Sequence, residues 1–276
     1  MNTLKKFDLT DSLAIITGGA GLLGIQHSEA LIEANAEIII LDNDRESLKK
    51  AASHFLKKYN KKVFMIVGDI TKEKSLSKVK TKIFKKFNKY PDILINNAAI
   101  DAKYESSNKM NKTRLENFDL SQWNKEISVG LSGAFLCSKY FGVEMANNKK
   151  GVILNISSDL GLIAPNQNLY ASNQCSDDSQ NVKPITYSVI KHGLIGLTRY
   201  ISTYWSNKGV RCNALAPGGV FNMHDKKFTK KLTSLIPLGR MADVDEYKST
   251  IVYMCSDASS YMNGAILSID GGRTAW

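Results

Sequence analysis

Residues 168–191 read NLYASNQCSDDSQNVKPITYSVIK and hold two tyrosines, Tyr170 and Tyr187. Free tyrosine titrates near 10, so at neutral pH a phenol can exchange a proton with a substrate hydroxyl only if a neighbouring cation favours its ionised form. On a helix, a lysine four residues on shares the tyrosine's face and can be that cation. Tyr187 has Lys191 at this spacing, whereas Tyr170 has the neutral Gln174. Pro184 suits the first turn of a helix carrying Tyr187. Tyr187 is therefore the candidate acid/base of a carbonyl/alcohol redox site, with Lys191 as its partner. A hydroxyl to hold the substrate oxygen stands at the end of a strand in NISSDLG (155–161), as Ser157 or Ser158.

The second stretch with chemistry in it is TGGAGLLG (17–24), between a strand and a helix. Its glycines, Gly18, Gly21 and Gly24, permit a tight turn and a close approach to a pyrophosphate, and the helix start through Leu22 and Leu23 offers N–H donors and a positive dipole end. Asp42 closes the next strand, followed by Asn43. A carboxylate there accepts hydrogen bonds from the adenosine ribose and repels a 2′-phosphate. The first basic residue after it is Arg45, so NAD is favoured over NADP.

The elements that must position these residues follow from hydrophobic patterning. Strands are expected at 13–17, 37–42, 63–69, 92–97, 151–157, 210–216 and 265–270, most of them continuously apolar, as parallel strands buried on both faces are. Helices are expected to begin near Leu22, Arg45, Lys74, Ser121, Pro184 and Asp243. Strand–helix alternation along the whole length predicts an α/β protein, a single Rossmann-like doubly wound domain over 1–276 with a parallel sheet of about seven strands. The least patterned stretches are 101–118, 166–184 and 218–236.

A net charge of +11 raises nucleic acid as a partner, but the lysines fall in amphipathic segments such as 46–62 and 74–89, alternating with apolar residues at helical spacing. No nucleic-acid-binding signature accompanies them, so none is expected; a basic surface does suit an anionic small-molecule substrate. No membrane-spanning run and no signal peptide are read, and a cytoplasmic protein is expected. Cys137, Cys175, Cys212 and Cys255 form no CxxC pair, and His27, His54, His192 and His224 share no ligand spacing, so reduced thiols and no metal are expected. Trp123, Trp205 and Trp276 read as packing or interface residues.

Taken in order, Thr17–Gly24, Asp69–Ile70, the NNAA run at 96–99, Ser157–Ser158, Tyr187 with Lys191, PGGV at 217–220 and DGG at 270–272 resemble the landmarks of the short-chain dehydrogenase/reductase family over residues 8–274. The resemblance implies a domain binding NAD(H) or NADP(H), assembled as a homotetramer or homodimer. Asp69 and Ile70 would flank the adenine, and Asn97 with Ala98 would lie along the cofactor. Pro217, Gly218 and Val220 would approach the nicotinamide. The family places its serine three residues before a glycine, here Gly161, which selects Ser158. Trp276 follows a tail that often lies near a subunit interface.

Three departures stand out. The glycine spacing is that of the extended, nucleotide-sugar branch, without its C-terminal substrate domain. Gly130 occupies the place of an asparagine that often completes a proton relay through the lysine, so water, a backbone carbonyl or another side chain must take over. The usual gap from serine to tyrosine is shorter, so 166–184 reads as an insertion, a substrate-covering or subunit-contacting loop. Similarity to bacterial surface-glycan and flagellin-glycan oxidoreductases suggests a sugar, sugar phosphate or nucleotide sugar as substrate. The rival readings are a nucleotide-sugar epimerase or dehydratase with bound NAD, and a non-catalytic NAD-binding protein.

Overall fold

The structure, a computed structural model, describes residues 2–100, 112–170 and 180–276. Seven strands form at Leu13–Thr17 (β1), Glu37–Asp42 (β2), Phe64–Val67 (β3), Ile93–Asn96 (β4), Gly151–Ile156 (β5), Val210–Pro217 (β6) and Ile266–Ile269 (β7). They make one all-parallel sheet in the order β3-β2-β1-β4-β5-β6-β7. Each falls on an expected run, trimmed or extended by at most three residues. The chain turns from one half of the sheet to the other between β1 and β4, where Ala14 pairs with Ile93. Ligands of doubly wound sheets bind beyond the carboxyl ends of the strands at such a reversal.

Among the described residues eight α-helices surround the sheet: α1 (Leu22–Glu33), α2 (Arg45–Tyr59), α3 (Glu73–Phe87), α4 (Leu120–Ile127), α5 (Gly133–Asn147), α6 (Ile185–Tyr204), α7 (Lys226–Thr233) and α8 (Lys248–Cys255). Strand side chains alternate between two apolar layers. Ala14, Ile16, Ile38, Ile40 and Ile95 pack with Leu31 of α1, Phe55 of α2 and Ile251 of α8. Leu13, Ile15, Ile39, Leu41 and Leu94 pack with Val79 of α3 and Phe141 of α5. The central strands are buried on both faces, which is why they read as unbroken apolar runs rather than alternating ones, whereas the edge strands β3 and β7 are partly exposed. The lysines of α2 and α3 lie largely on the outer faces, as the amphipathic pattern requires.

Two expectations need correction. The helix expected near Asp243 begins at Lys248, because 244–247 form a turn in which Glu246 accepts from the Asp243 N–H at 2.8 Å and pairs with Arg240. The stretch 218–236 contains α7, whose only large apolar side chains are Phe228 and Leu232, one turn apart; Asp225 caps it by accepting from the Lys227 and Phe228 N–H groups. Of the other weakly patterned stretches, residues 101–111 and 171–179, with Cys175 and the middle of the proposed insertion, lie outside the described residues. The helix expected near Ser121 starts at Leu120 and runs through a π-helical segment, Ser128–Ser132, into α5.

Candidate active site

One cavity of about 760 Å³ opens at the carboxyl ends of the strands and receives nearly all of the sequence-predicted residues. One wall is the turn between β1 and α1. Gly18 has φ +60°, and a Cβ there would come within 2.9 Å of the Ala98 Cα, so the position demands glycine. Gly21 caps α1 without any side-chain cap, leaving the first N–H groups of a twelve-residue helix for a ligand. Gly21, Leu22 and Leu23 line the cavity. Gly24 does not; a Cβ there would lie 2.2 Å from the Gly18 carbonyl oxygen, so this glycine lets the turn close and is a packing residue.

Farther along the cradle, Asp42 and Asn43 line one end and Asp69 and Ile70 the wall beside them. Asp42 accepts weakly from the Ala20 N–H, which ties the carboxylate to the turn. Partial burial opposes the charge on Asp69, yet hydrogen bonds from Thr71 and the Lys72 ammonium hold its carboxyl below the usual range. Asn97 and Ala98 also face the cavity, but the Asn97 amide donates to the Thr17 and Gly18 carbonyls and so braces the turn from β4. These residues fit a dinucleotide: glycines that admit close approach, uncapped helix donors and a carboxylate at the end of β2.

Ser158, Tyr187 and Lys191 line the same cavity, as do Pro217, Gly218 and Val220. Tyr187 and Lys191 lie one turn apart on α6, and the Lys191 Nζ is 5.6 Å from the centre of the tyrosine ring. Lys191 is buried and donates to the Ile156 carbonyl at 2.8 Å, so a backbone oxygen at the end of β5 fixes the ammonium. Gly130 leaves no room for a relay side chain: a Cβ would sit 2.8 Å from Ile190 Cγ2. Ser157 turns away, its hydroxyl donating to the Lys191 carbonyl, which supports Ser158 as the substrate-facing serine. Tyr170 sits in the far wall of the cavity, its ring 5.7 Å from Phe228 of α7.

Several cavity residues were not read from the sequence. Lys125 and Lys183 line the cavity, the Lys183 Nζ 3.9 Å from the Tyr187 ring centre. Leu169, Phe228, Leu232 and Met241 make an apolar wall there. The two ends of the proposed insertion clasp one another, the Lys183 N–H donating to Gln167 Oε1 at 2.9 Å. Asp159 and Arg273 are a buried ion pair at 2.6 Å, and Ser158 Oγ donates to the same carboxylate at 2.7 Å. An acid directly after the serine and a base in the DGGR tail were visible signals, but 114 residues separate them.

Away from the cavity mouth, His27 is fully buried on α1. Burial pushes it down to about 3 against an opposing pull from Asn97, and neither ring nitrogen reaches hydrogen-bond geometry. It is therefore a neutral core residue. Cys137, Cys212 and Cys255 are free and buried, and burial raises all three thiols, the last two to about 12. Among the described residues no helix is long and apolar enough to cross a membrane, and no cluster of acidic, cysteine and histidine side chains could hold a metal.

Comparison with known proteins agrees with this geometry. Residues 20–274 match the family described as enoyl-(acyl carrier protein) reductase. Galactitol 2-dehydrogenase of Rhizobium johnstonii is 28% identical over the full length of both chains. The NAD-dependent glycerol dehydrogenase of Listeria innocua is 28% identical, over 98% of this chain and 96% of that one. Among solved structures, a gluconate 5-dehydrogenase from Burkholderia cenocepacia in complex with NADP and tartrate superposes with TM-score 0.84 at 26% identity, covering 100% of both chains. A short chain dehydrogenase from Leptospira borgpetersenii with bound NAD⁺ gives 0.81 at 29%, covering 98% of this chain and 95% of that one.

Proposed function

Because the chain belongs to the short-chain dehydrogenase/reductase family and is an oxidoreductase working between alcohols and ketones, we propose that Ser158, Tyr187 and Lys191 are its catalytic residues. We further propose that NAD is its preferred cofactor and that it acts on the secondary hydroxyl of a polyol, sugar or sugar derivative. The observation that carries this reading is the convergence of those three side chains with the uncapped glycine turn in one cavity.

A nicotinamide dinucleotide bound along the cradle would accept or return the hydride. The chain's own residues manage the proton and the substrate oxygen. Tyr187 takes the hydroxyl proton or returns it, and the Lys191 ammonium favours its ionised form through the charge it holds nearby. Ser158 holds the reacting oxygen against Tyr187. The Asp42 carboxylate favours NAD by receiving ribose hydroxyls and repelling a phosphate. Lys125 and Lys183 on the substrate side support an anionic substrate, with a sugar phosphate or nucleotide sugar of glycan biosynthesis as the narrower reading.

Assembly as a homodimer or homotetramer is supported by helix faces left open to solvent. Phe135 and Val143, two turns apart on α5, are exposed, as are Val189, Tyr200 and Tyr204 on one stripe of α6. The deciding experiment offers NAD⁺ or NADP⁺ with galactitol, glycerol, D-gluconate, sugar phosphates and nucleotide sugars. Reduced cofactor should appear with at least one substrate, faster with NAD⁺, and Tyr187→Phe should lower turnover by about 10²–10⁴-fold. Full activity in that variant would overturn the assignment. Protein that carries tightly held NAD⁺ and yields no net reduction would instead indicate an epimerase or dehydratase.

A further inference from the structure

A buried ion pair is costly to form, because both charges leave water and must recover the loss through geometry. Asp159 and Arg273 form such a pair beside the reacting end of the cavity, with side chains 4% and 6% exposed. Their arrangement is more specific than packing requires. One carboxylate oxygen, Oδ2, accepts from Arg273 Nη1 at 2.6 Å; the other, Oδ1, accepts from the Leu160 N–H at 2.8 Å and from Ser158 Oγ at 2.7 Å. Ser158 Oγ in turn accepts from the Leu160 N–H at 3.2 Å. The serine hydroxyl is thus gripped as donor and as acceptor.

The arginine arrives by a built turn. After β7, Gly271 and Gly272 take φ +67° and +88°, and Asp270 accepts from the Gly272 and Thr274 N–H groups, which turns Arg273 inward. A serine side chain on its own is a single-bond rotor with three staggered wells. A hydroxyl that must meet a substrate oxygen at a fixed distance from Tyr187 gains from having one well chosen for it. We propose that Asp159 and Arg273 are positioning residues for Ser158: the arginine holds the carboxylate, and the carboxylate holds the serine Oγ in one rotamer until the hydroxyl hydrogen turns from Asp159 Oδ1 to the arriving substrate oxygen. This rests on the assignment of Ser158 as a catalytic residue.

The test separates positioning from stability by replacing the pair with apolar side chains of similar volume, a change that often leaves stability intact. The Asp159→Leu/Arg273→Met double variant of the full chain should melt close to the wild type and bind NADH with unchanged affinity. Its kcat on the best substrate of the panel above should fall by about tenfold to a hundredfold, with KM little changed. Arg273→Lys, which keeps a cation for the carboxylate, should recover most of the rate. A double variant that melts and turns over like the wild type overturns the proposal.

If the double variant does not fold, Asp159→Asn serves in its place: a kcat reduced several-fold at unchanged melting temperature supports the pair, and an unchanged kcat overturns it. Crystal structures without substrate give a readout independent of turnover. Ser158 should occupy one rotamer in the wild type and several in the double variant, or in Asp159→Asn if only that variant folds; one unchanged rotamer in the variant overturns the proposal. Should the wild type reduce no cofactor with any panel alcohol, the functional reading falls, and the rotamer comparison still decides the pair.

Discussion

At the scale of single residues, the site divides into parts that spacing reveals and parts that only folding brings together. Tyr187 and Lys191 were legible because helical geometry alone puts residues four apart on one face. The choice of Ser158 over Ser157 has a physical basis in the structure: Ser157 spends its hydroxyl on the Lys191 carbonyl. Gly130 carries a sharper lesson. Restoring the relay asparagine looks like a repair on paper, but the space is filled by Ile190, the neighbour of Lys191. Gly130→Asn should therefore lower both stability, by about 1–3 kcal/mol, and kcat, since the Ile190 side chain beside Lys191 must give way to admit it. Thermal melts and steady-state kinetics check this; a variant faster than wild type would show that the space can be cleared.

At the scale of elements, the helices that sequence missed or misplaced are those whose order comes from tertiary contacts rather than periodicity. α7 is eight residues of mostly lysine and threonine, and two apolar side chains on one face are too few to signal it. It forms because those two side chains close the substrate wall with Leu169 and Tyr170. The joining of α1, α2 and α8 is likewise non-local. Glu29 of α1 is buried and receives Lys58 at 2.8 Å and His54 at 2.6 Å from α2, and Lys248 at 3.2 Å from α8. Burial opposes its charge, but these donors win and hold it down to about 2, against about 4.5 for an ordinary glutamate. The folded state therefore binds this proton less readily than the unfolded chain, so the network's stabilisation is whole above about pH 4.5 and is lost as pH falls toward 2. Glu29→Gln should cost about 1–3 kcal/mol at pH 7 and flatten the acid limb of stability in that window, as read by denaturant melts across pH. An unchanged acid limb would count against the network.

At the scale of the whole molecule, the parallel sheet was legible because its central strands are buried on both faces and strands alternate with helical segments along the chain; the order β3-β2-β1-β4-β5-β6-β7 came only with the structure. The charge reading also gains a physical form: lysines crowd the outer faces of α2 and α3, far along the sheet from β6 and β7. The open apolar stripes of α5 and α6 lead to a prediction about assembly. Tyr200→Asp combined with Tyr204→Asp should reduce the sedimenting species to a monomer that keeps its fold; a wild type already monomeric at micromolar concentration would remove the case for self-association.

The turn after β7 has a consequence for how the protein is made. Domains emerge from the ribosome amino end first, and early segments can begin to organise before later ones exist. Here the glycine turn, Asp42 and Asn97 all precede residue 100, so these residues, proposed to hold the dinucleotide, are made early in translation. Tyr187 follows, and the arginine that holds Asp159, and through it Ser158, is delivered only when synthesis has passed residue 273. On the proposed reading, the serine hydroxyl is therefore the last part of the site to be held, after the glycine turn and the tyrosine have already been made.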